Sequence, residues 1–341
     1  MELSDFGAAV GDFSQMLASA ILLPFRRRGE PRGSPRRRLP VPPARGAPRG
    51  LPVRVRGHLV LTAGTAPDEV LVELVHLAGG RGARAVVLPA ASYDFASAGE
   101  RYRRYLQRFG MTHTETADVS TRPRAEAAAT ATRLSAADLL VIGGGSPDLL
   151  LAVMGGTAVE SALQAALARG AVVALFGPAS EAAGEWCLPP AEGTEAQAGA
   201  AAPAPPAGAA RTPHPTPAGA PLRQGLGLLP GTFVATAPVV GGRLAQVFAA
   251  ALTSGVQALV LDERSALAVR PGWRGEVRAG TVLALGGVDA RPLDAPAPLG
   301  GAFTRVAPAG WQLDLAARLV LPPGEGADAR SARGTPTPFG G

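Results

Sequence analysis

The stretch Val172–Trp186 reads VVALFGPASEAAGEW, and the fold follows from how it is interpreted. A short apolar run ends at Gly177, turns, and restarts as an Ala-rich segment expected to open a helix. A strand–turn–helix corner of this kind lifts one side chain out of a parallel sheet. The helix N-terminus beneath it favours developing negative charge.

Working outward, apolar runs of strand length alternate with helix-period segments. Upstream, strands are expected at Val53–Ala63, Arg84–Leu88, Thr112–Val119 and Asp138–Ile142. Between them the apolar spacing predicts helices over Pro67–Leu77, Ala98–Phe109 and Pro123–Arg133. Two more follow, one running through Met154 and one over Val159–Arg169. Downstream, Thr232–Val240 and Val256–Leu261 read as strands around a helix at Arg243–Ser254. Short alternating runs at Ser265–Val269, Glu276–Val277 and Thr281–Leu285 suggest an antiparallel meander, and Trp311, Leu313 and Leu315 a last strand. The expected fold class is therefore α/β: a three-layer, mostly parallel sheet with helices on both faces and a C-terminal antiparallel meander. Ligands of such sheets bind beyond the C-terminal strand ends. The turns PAAS (Pro89–Ser92), Gly143-Gly144-Gly145 and FGPAS (Phe176–Ser180) all fall there.

The flanks read differently. Residues 1–25 space Leu3, Phe6, Val10, Phe13, Leu17 and Ile21 as an amphipathic helix, and an Arg/Pro-rich linker follows to residue 50. Residues 51–322 form the expected domain, interrupted by an Ala/Pro/Gly/Thr-rich insertion at 190–221. Residues 323–341 read as a loose tail. With 341 residues and 47% apolar content the chain can bury a large core. Its net charge of +6 comes entirely from Arg over Asp and Glu, since Lys is absent. No aromatic platform accompanies the Arg run, so no nucleic-acid partner is expected. A lone Cys187 fits a reducing, cytoplasmic setting. No secretory leader is read in the opening segment, and its longest apolar run is too short to span a bilayer. No Cys/His spacing suits a metal and no phosphate loop is present, so neither metal nor cofactor is expected.

In order and spacing, PAAS, the GGG turn, Gly177, Leu226-Gly227-Leu228-Leu229, Gly242-Arg243-Leu244 and Asp262-Glu263 resemble the cyanophycinase-like serine peptidases. That group is peptidase family S51, which includes dipeptidase E, and the resemblance covers about residues 53–290. It implies a fold similar to class I glutamine amidotransferases (flavodoxin-like). It also implies a serine nucleophile in a Gly-Thr-Ser-Ala-Gly-Ala elbow, and a His base shortly before the Gly-Arg-Leu stretch. Aligned on Gly177, the nucleophile position falls on Ala179. Counted back from Gly242, the base position falls on Val234, and two expected Arg fall on Pro238 and Val240. Pro147 replaces the Gln after the GGG turn. The resemblance thus implies a degenerate member that has lost hydrolysis and serves as a binding or interaction protein for a peptide or protein ligand.

Two alternatives stand beside it. Ser180, one position further on, is the remaining candidate nucleophile for an active exopeptidase on β-aspartyl or Asp-containing peptides, with Glu181 or Glu185 as the nearby acids. Alternatively, residues 1–28 touch a membrane surface and residues 1–50 act as a tether to membrane or polyanion. Ser92, Gly144, Gly145, Gly177, Glu181, Asp262 and Glu263 are the candidate pocket residues. A homodimer is left open.

Overall fold

The computed structural model describes residues 56–64, 66–189, 222–238, 242–254, 256–287 and 302–323. The expected N-terminal helix and linker (1–50), the insertion (190–221) and nearly all of the tail lie outside these residues.

The first part of the chain alternates as its apolar pattern predicts. Strand β1 (His58–Thr62) leads to α1 (Asp68–Leu77), β2 (Arg84–Leu88), α2 (Phe95–Arg108) and β3 (His113–Thr116). Then come α3 (Arg122–Ala125), α4 (Ala128–Ala136), β4 (Leu139–Ile142), α5 (Pro147–Met154), α6 (Ala158–Arg169) and β5 (Val172–Leu175). Strands β1, β5, β4, β2 and β3 lie side by side and parallel. Residues of β4 and β5 are buried throughout, which is why they read as unbroken apolar runs rather than alternating ones. Successive residues serve opposite faces. Leu59, Leu61, Val86, Leu88, Leu140 and Ile142 join one core cluster, while Val60, Ala85, Val87, Leu139 and Val141 join another.

The helix expected over Pro123–Arg133 is two helices, α3 and α4, separated by an extended Ala127. Its flanks are pinned elsewhere. The Arg122 guanidinium donates to the Gly155 carbonyl at 2.7 Å, and the Glu126 carboxylate accepts the Ala158 amide at 3.2 Å. Holding both contacts on the α5–α6 connection outweighs the small propensity of a continuous Ala-rich helix.

The second half departs further from expectation. After β5 the chain does not enter an α-helix but a seven-residue 3-10 helix, Gly177–Ala183, and then strand β6 (Gly184–Cys187). Beyond residue 221 follow β7 (Arg223–Gln224), β8 (Leu229–Thr236), α7 (Leu244–Ser254) and β9 (Gln257–Leu261). The end of the fold is β10 (Ala266–Arg270), β11 (Arg274–Ala279), β12 (Thr281–Gly287), β13 (Ala302–Pro308), β14 (Gln312–Asp314) and β15 (Leu319–Leu321). These strands divide between two sheets. Strands β10, β11, β14 and β15 extend the first sheet antiparallel from β1, giving the order β15-β14-β11-β10-β1-β5-β4-β2-β3. The other six form a mixed sheet, β13-β12-β9-β8-β6-β7, with α7 packed on one face. The meander is therefore present but split: β10 and β11 stay with the first sheet, while β12 crosses to the second. Gly280, with φ +63°, makes the turn between β11 and β12, and a Cβ there would lie 2.7 Å from the Ser265 hydroxyl.

Gly57 sets where β1 begins. A Cβ on it would meet the Ala171 carbonyl at 2.1 Å, so only glycine lets β1 seat against β5. Next to it, half-buried His58 has its pKa lowered below 6.5, first by burial and then by the Arg270 charge. The native state therefore binds this proton less readily than the unfolded chain. His58 thus favours folding fully above the unfolded value and loses that contribution as pH falls below it. Thermal melts should show a stability rise through the range just below about pH 6.5, and the rise should be smaller in His58→Gln.

Candidate functional site

The PAAS, GGG and FGPAS turns meet beyond the C-terminal ends of β2, β4 and β5. The Ser146 amide donates to the Ala91 carbonyl at 2.8 Å, joining the PAAS and GGG turns. Gly145, with φ +149°, lies so close that a Cβ would fall 2.1 Å from the Ala91 oxygen. Gly144 borders the corner: a Cβ on Gly177 would stand 3.9 Å from the Gly144 Cα and 4.0 Å from the Ala63 carbonyl. The Asp262–Glu263 loop completes the rim, since a Cβ on Gly64 would meet the Glu263 carbonyl at 2.7 Å. The turns holding Ser92, Gly144, Gly145, Gly177, Asp262 and Glu263 are thus neighbours, while the Glu181 side chain is directed to Thr236 and Arg243.

The residue that turns the corner is Gly177. It follows Phe176 directly after β5 and has φ +60°, the left-handed conformation that a nucleophile elbow imposes on its central residue. The contacts of 3.9 and 4.0 Å leave room for a Cβ, but the left-handed backbone strains any side chain at this buried position, and glycine supplies none. Ala179 lies two residues further on, inside the 3-10 helix, fully buried in the main core with Ala182 and Ala183. Val234 is equally buried in the same core, on β8. Both positions that the resemblance gave to catalysis therefore hold packing residues.

Ser180 is occupied. Its side chain has no exposed surface, and its Oγ lies 2.8 Å from the Thr62 carbonyl and 2.9 Å from the Leu175 carbonyl. The one hydroxyl proton is shared between the ends of β1 and β5, so the group ties two neighbouring strands. Glu181, 2% exposed, is equally committed. It accepts from the Thr236 amide at 3.1 Å, the Thr236 hydroxyl at 3.0 Å and the Arg243 guanidinium at 3.0 Å. Glu185 accepts the Gly231 amide at 2.7 Å. Asp262 accepts from the Arg264 amide and the Ser265 hydroxyl, closing its own turn. Ser92 donates to the Asp94 carbonyl at 3.1 Å. Asp148 pairs with Arg223, whose pKa is lowered by burial and by neighbouring Arg243.

Two residues that the sequence reading did not single out decide the electrostatics. An elbow stabilises an oxyanion with the amide of the residue after the nucleophile and a second amide from a facing loop. After Gly177 comes Pro178, which has no N–H. Across the corner, the Gly144 amide donates to the Tyr102 hydroxyl at 2.7 Å. The Tyr102 ring leans on Phe176 with centroids 5.6 Å apart and would clash with any Cβ on Gly143, at 2.6 Å. Pro178 was legible in the sequence. Tyr102 was legible only as a residue of the expected helix Ala98–Phe109, because its register over the GGG turn depends on tertiary packing. Among the described residues, no group of three or more His, Cys, Asp or Glu could hold a metal ion. No single described helix is long and apolar enough to cross a membrane.

Comparisons with known proteins agree with this frame. Residues 59–184 match the family model described as Peptidase family S51. The segments holding Val234 and Arg243 lie beyond that match. No curated protein matches the sequence significantly. Among solved structures, a peptidase from an acI-B1 Actinobacterium superposes with a TM-score of 0.54 at 15% identity, covering 76% of this chain and 97% of its own. A putative peptidase E protein from Listeria monocytogenes EGD-e gives a TM-score of 0.43 at 13% identity, covering 65% of this chain and 97% of its own. The first likeness places the chain in the peptidase's fold.

The contacts of Ser180 and Glu181 predict unequal costs. Ser180→Ala should lower unfolding free energy by about 1–3 kcal/mol, the cost of leaving buried carbonyls short of a donor. Glu181→Ala should cost about 3–5 kcal/mol, because it strands a largely buried guanidinium. Denaturant titration of the two variants checks the order.

Proposed function

We propose that this chain, whose residues 59–184 form a Peptidase family S51 domain, is a non-hydrolytic member of that fold that acts by binding a peptide or protein. The observation that carries the reading is the corner itself. Its left-handed residue is Gly177, its following residue is Pro178, and its facing amide is held by Tyr102. A serine-type mechanism needs a nucleophile, a base within hydrogen-bond reach and oxyanion donors. None of the three is supplied at the corner by the described residues. Of the described histidines, His58 opens β1, His76 sits in the last turn of α1, and His113 opens β3. None of these positions is on the corner's rim. Removing nucleophile and base from a hydrolase of this type costs on the order of 10⁶ in turnover. With both amides also withheld, the residual rate expected from oxyanion stabilisation falls away too.

The buried, doubly shared Ser180 hydroxyl argues against a displaced nucleophile. What the strand ends still offer is a rim of aromatic and backbone groups: exposed Tyr93, half-buried Tyr102, and the carbonyls of Ala63 and Glu263. Such a rim suits a peptide held by ring contacts and main-chain hydrogen bonds.

The test is chemical. A fluorophosphonate probe should leave the wild-type chain unlabelled, and β-aspartyl dipeptides should not be cleaved. Gly177→Ser strains the left-handed backbone; once circular dichroism shows it folded, it should remain unlabelled as well, because neither base nor oxyanion donor accompanies the new hydroxyl. Labelling of the wild type, abolished by Ser180→Ala, would overturn the proposal.

A further inference from the structure

The parallel strands all begin at one end of the first sheet, and the helices that return between them finish there. A helix favours a cation in its last turn, where its unpaired carbonyls gather. Arg108 closes α2, Arg133 lies in the last turn of α4, and Arg169 closes α6. The topology thus collects on one face charges that suit each helix singly. Helix ends do not account for the rest. Arg56 precedes β1, Arg81 lies between α1 and β2, and Arg84 opens β2. All six are exposed. In the connections leading into these strands the one described carboxylate is Asp138, which pairs with Arg84 at 3.8 Å. Among the described residues no carboxylate pairs with the other five.

These arginines belong to one surface, since neighbouring connections touch. A Cβ on Gly170 would stand 4.0 Å from that of Arg56. The Arg169 guanidinium donates to the Ala137 carbonyl, and the Arg84 amide to the Asp138 carboxylate at 2.9 Å. Thr112, just before β3, donates through its amide and hydroxyl to the Arg81 carbonyl at 3.2 and 3.0 Å. Strands about 4.8 Å apart spread the row over roughly 20 Å. The connections from helix to strand are two to six residues long. The face is therefore level, apart from a groove of about 430 Å³ beside Arg84 and Arg133 on which Glu115 is the acidic residue.

We infer that this face docks on an anionic lipid bilayer. The sequence selects a membrane among polyanions. The upstream chain enters the fold here, and residues 26–56 hold eleven Arg against one Glu. Ahead of them, residues 1–25 carry the three- and four-residue apolar spacing that seats a segment among lipids and serves no purpose on nucleic acid. A bilayer is also planar, as this end of the sheet is. Single-stranded nucleic acid needs exposed rings on which to stack its bases, and the ring in these connections, Phe109, is half-buried against Tyr105. Each arginine of the face lies within a screening length of the lipid charge once docked, so the folded face adds to the upstream tract. The inference is independent of whether the corner hydrolyses anything.

Co-sedimentation of the full chain with vesicles tests it, comparing phosphatidylcholine alone with the same lipid holding about 30% phosphatidylserine. The wild type should bind the mixed vesicles and not the neutral ones, and high salt should release it. Arg81→Gln with Arg133→Gln should weaken binding by about tenfold or more, each arginine near the surface being worth about fivefold. Arg124→Gln with Arg264→Gln makes the same change in net charge past the opposite strand ends. That pair should leave binding within about twofold, since those charges stay beyond the screening length. Far-UV circular dichroism should be unchanged in both, because every replaced side chain is exposed. A wild type that ignores the mixed vesicles, equal effects of the two pairs, or tighter binding to duplex DNA than to the mixed vesicles would each overturn the inference.

Discussion

One buried carboxylate holds the two halves of this molecule in register. Glu181 projects from the 3-10 helix that leaves the first sheet, and its oxygens meet the end of β8 and Arg243 before α7 in the second. Arg243 in turn reaches the Pro189 carbonyl at 3.2 Å, where Gln246 also donates. A charge this deep is costly to desolvate and is tolerated only with its donors in place. The segment Gly177–Ala183 therefore cannot relax into an α-helix. It must deliver Glu181 to Thr236 and then run straight into β6, where Gly184 passes so close to β8 that a Cβ would lie 2.6 Å from the Thr232 carbonyl.

The same constraint shapes the corner. With Ser180 drawn under β1 and β5 and Glu181 drawn to β8, Gly177 is itself buried at the turn and the exposed residue beside it is Pro178. Pro178 brings no N–H to the turn, and the Gly144 amide across it donates to the Tyr102 hydroxyl. In this arrangement the turn joins the two sheets.

Much of this was readable from residues alone, and the gaps have physical causes. Strands β4 and β5 announced themselves because strands buried on both faces are continuously apolar, as Leu139–Ile142 and Val172–Leu175 are, whereas edge strand β3 is polar throughout. The convergence of the PAAS, GGG and FGPAS turns followed from the topology of such sheets. The second sheet was missed because strand-like runs at Thr232–Val240 and Thr281–Leu285 carry no mark of which sheet they join. That choice is made by long-range pairs such as Val282 with Leu261 and Trp186 with Phe233. The sequence placed the nucleophile position at Ala179 by counting from Gly177. Counting from a glycine fixes a spacing, whereas the corner is defined by a backbone angle, and φ +60° belongs to Gly177 itself. Tyr102 was not marked by the sequence, since nothing local reveals that its hydroxyl reaches across forty-odd positions to Gly144.

The close seating of Gly57 gives the domain a polarity. The chain enters the described fold at the N-terminal ends of the parallel strands, against Leu167 and Ala171. The glycine turns lie at the opposite pole, roughly 15 Å away along β1 at about 3.3 Å per residue. Anything fastened to the upstream chain would therefore grip the molecule by its base. The strand-end rim would face outward, the orientation wanted for immobilising the protein on a surface without covering that rim.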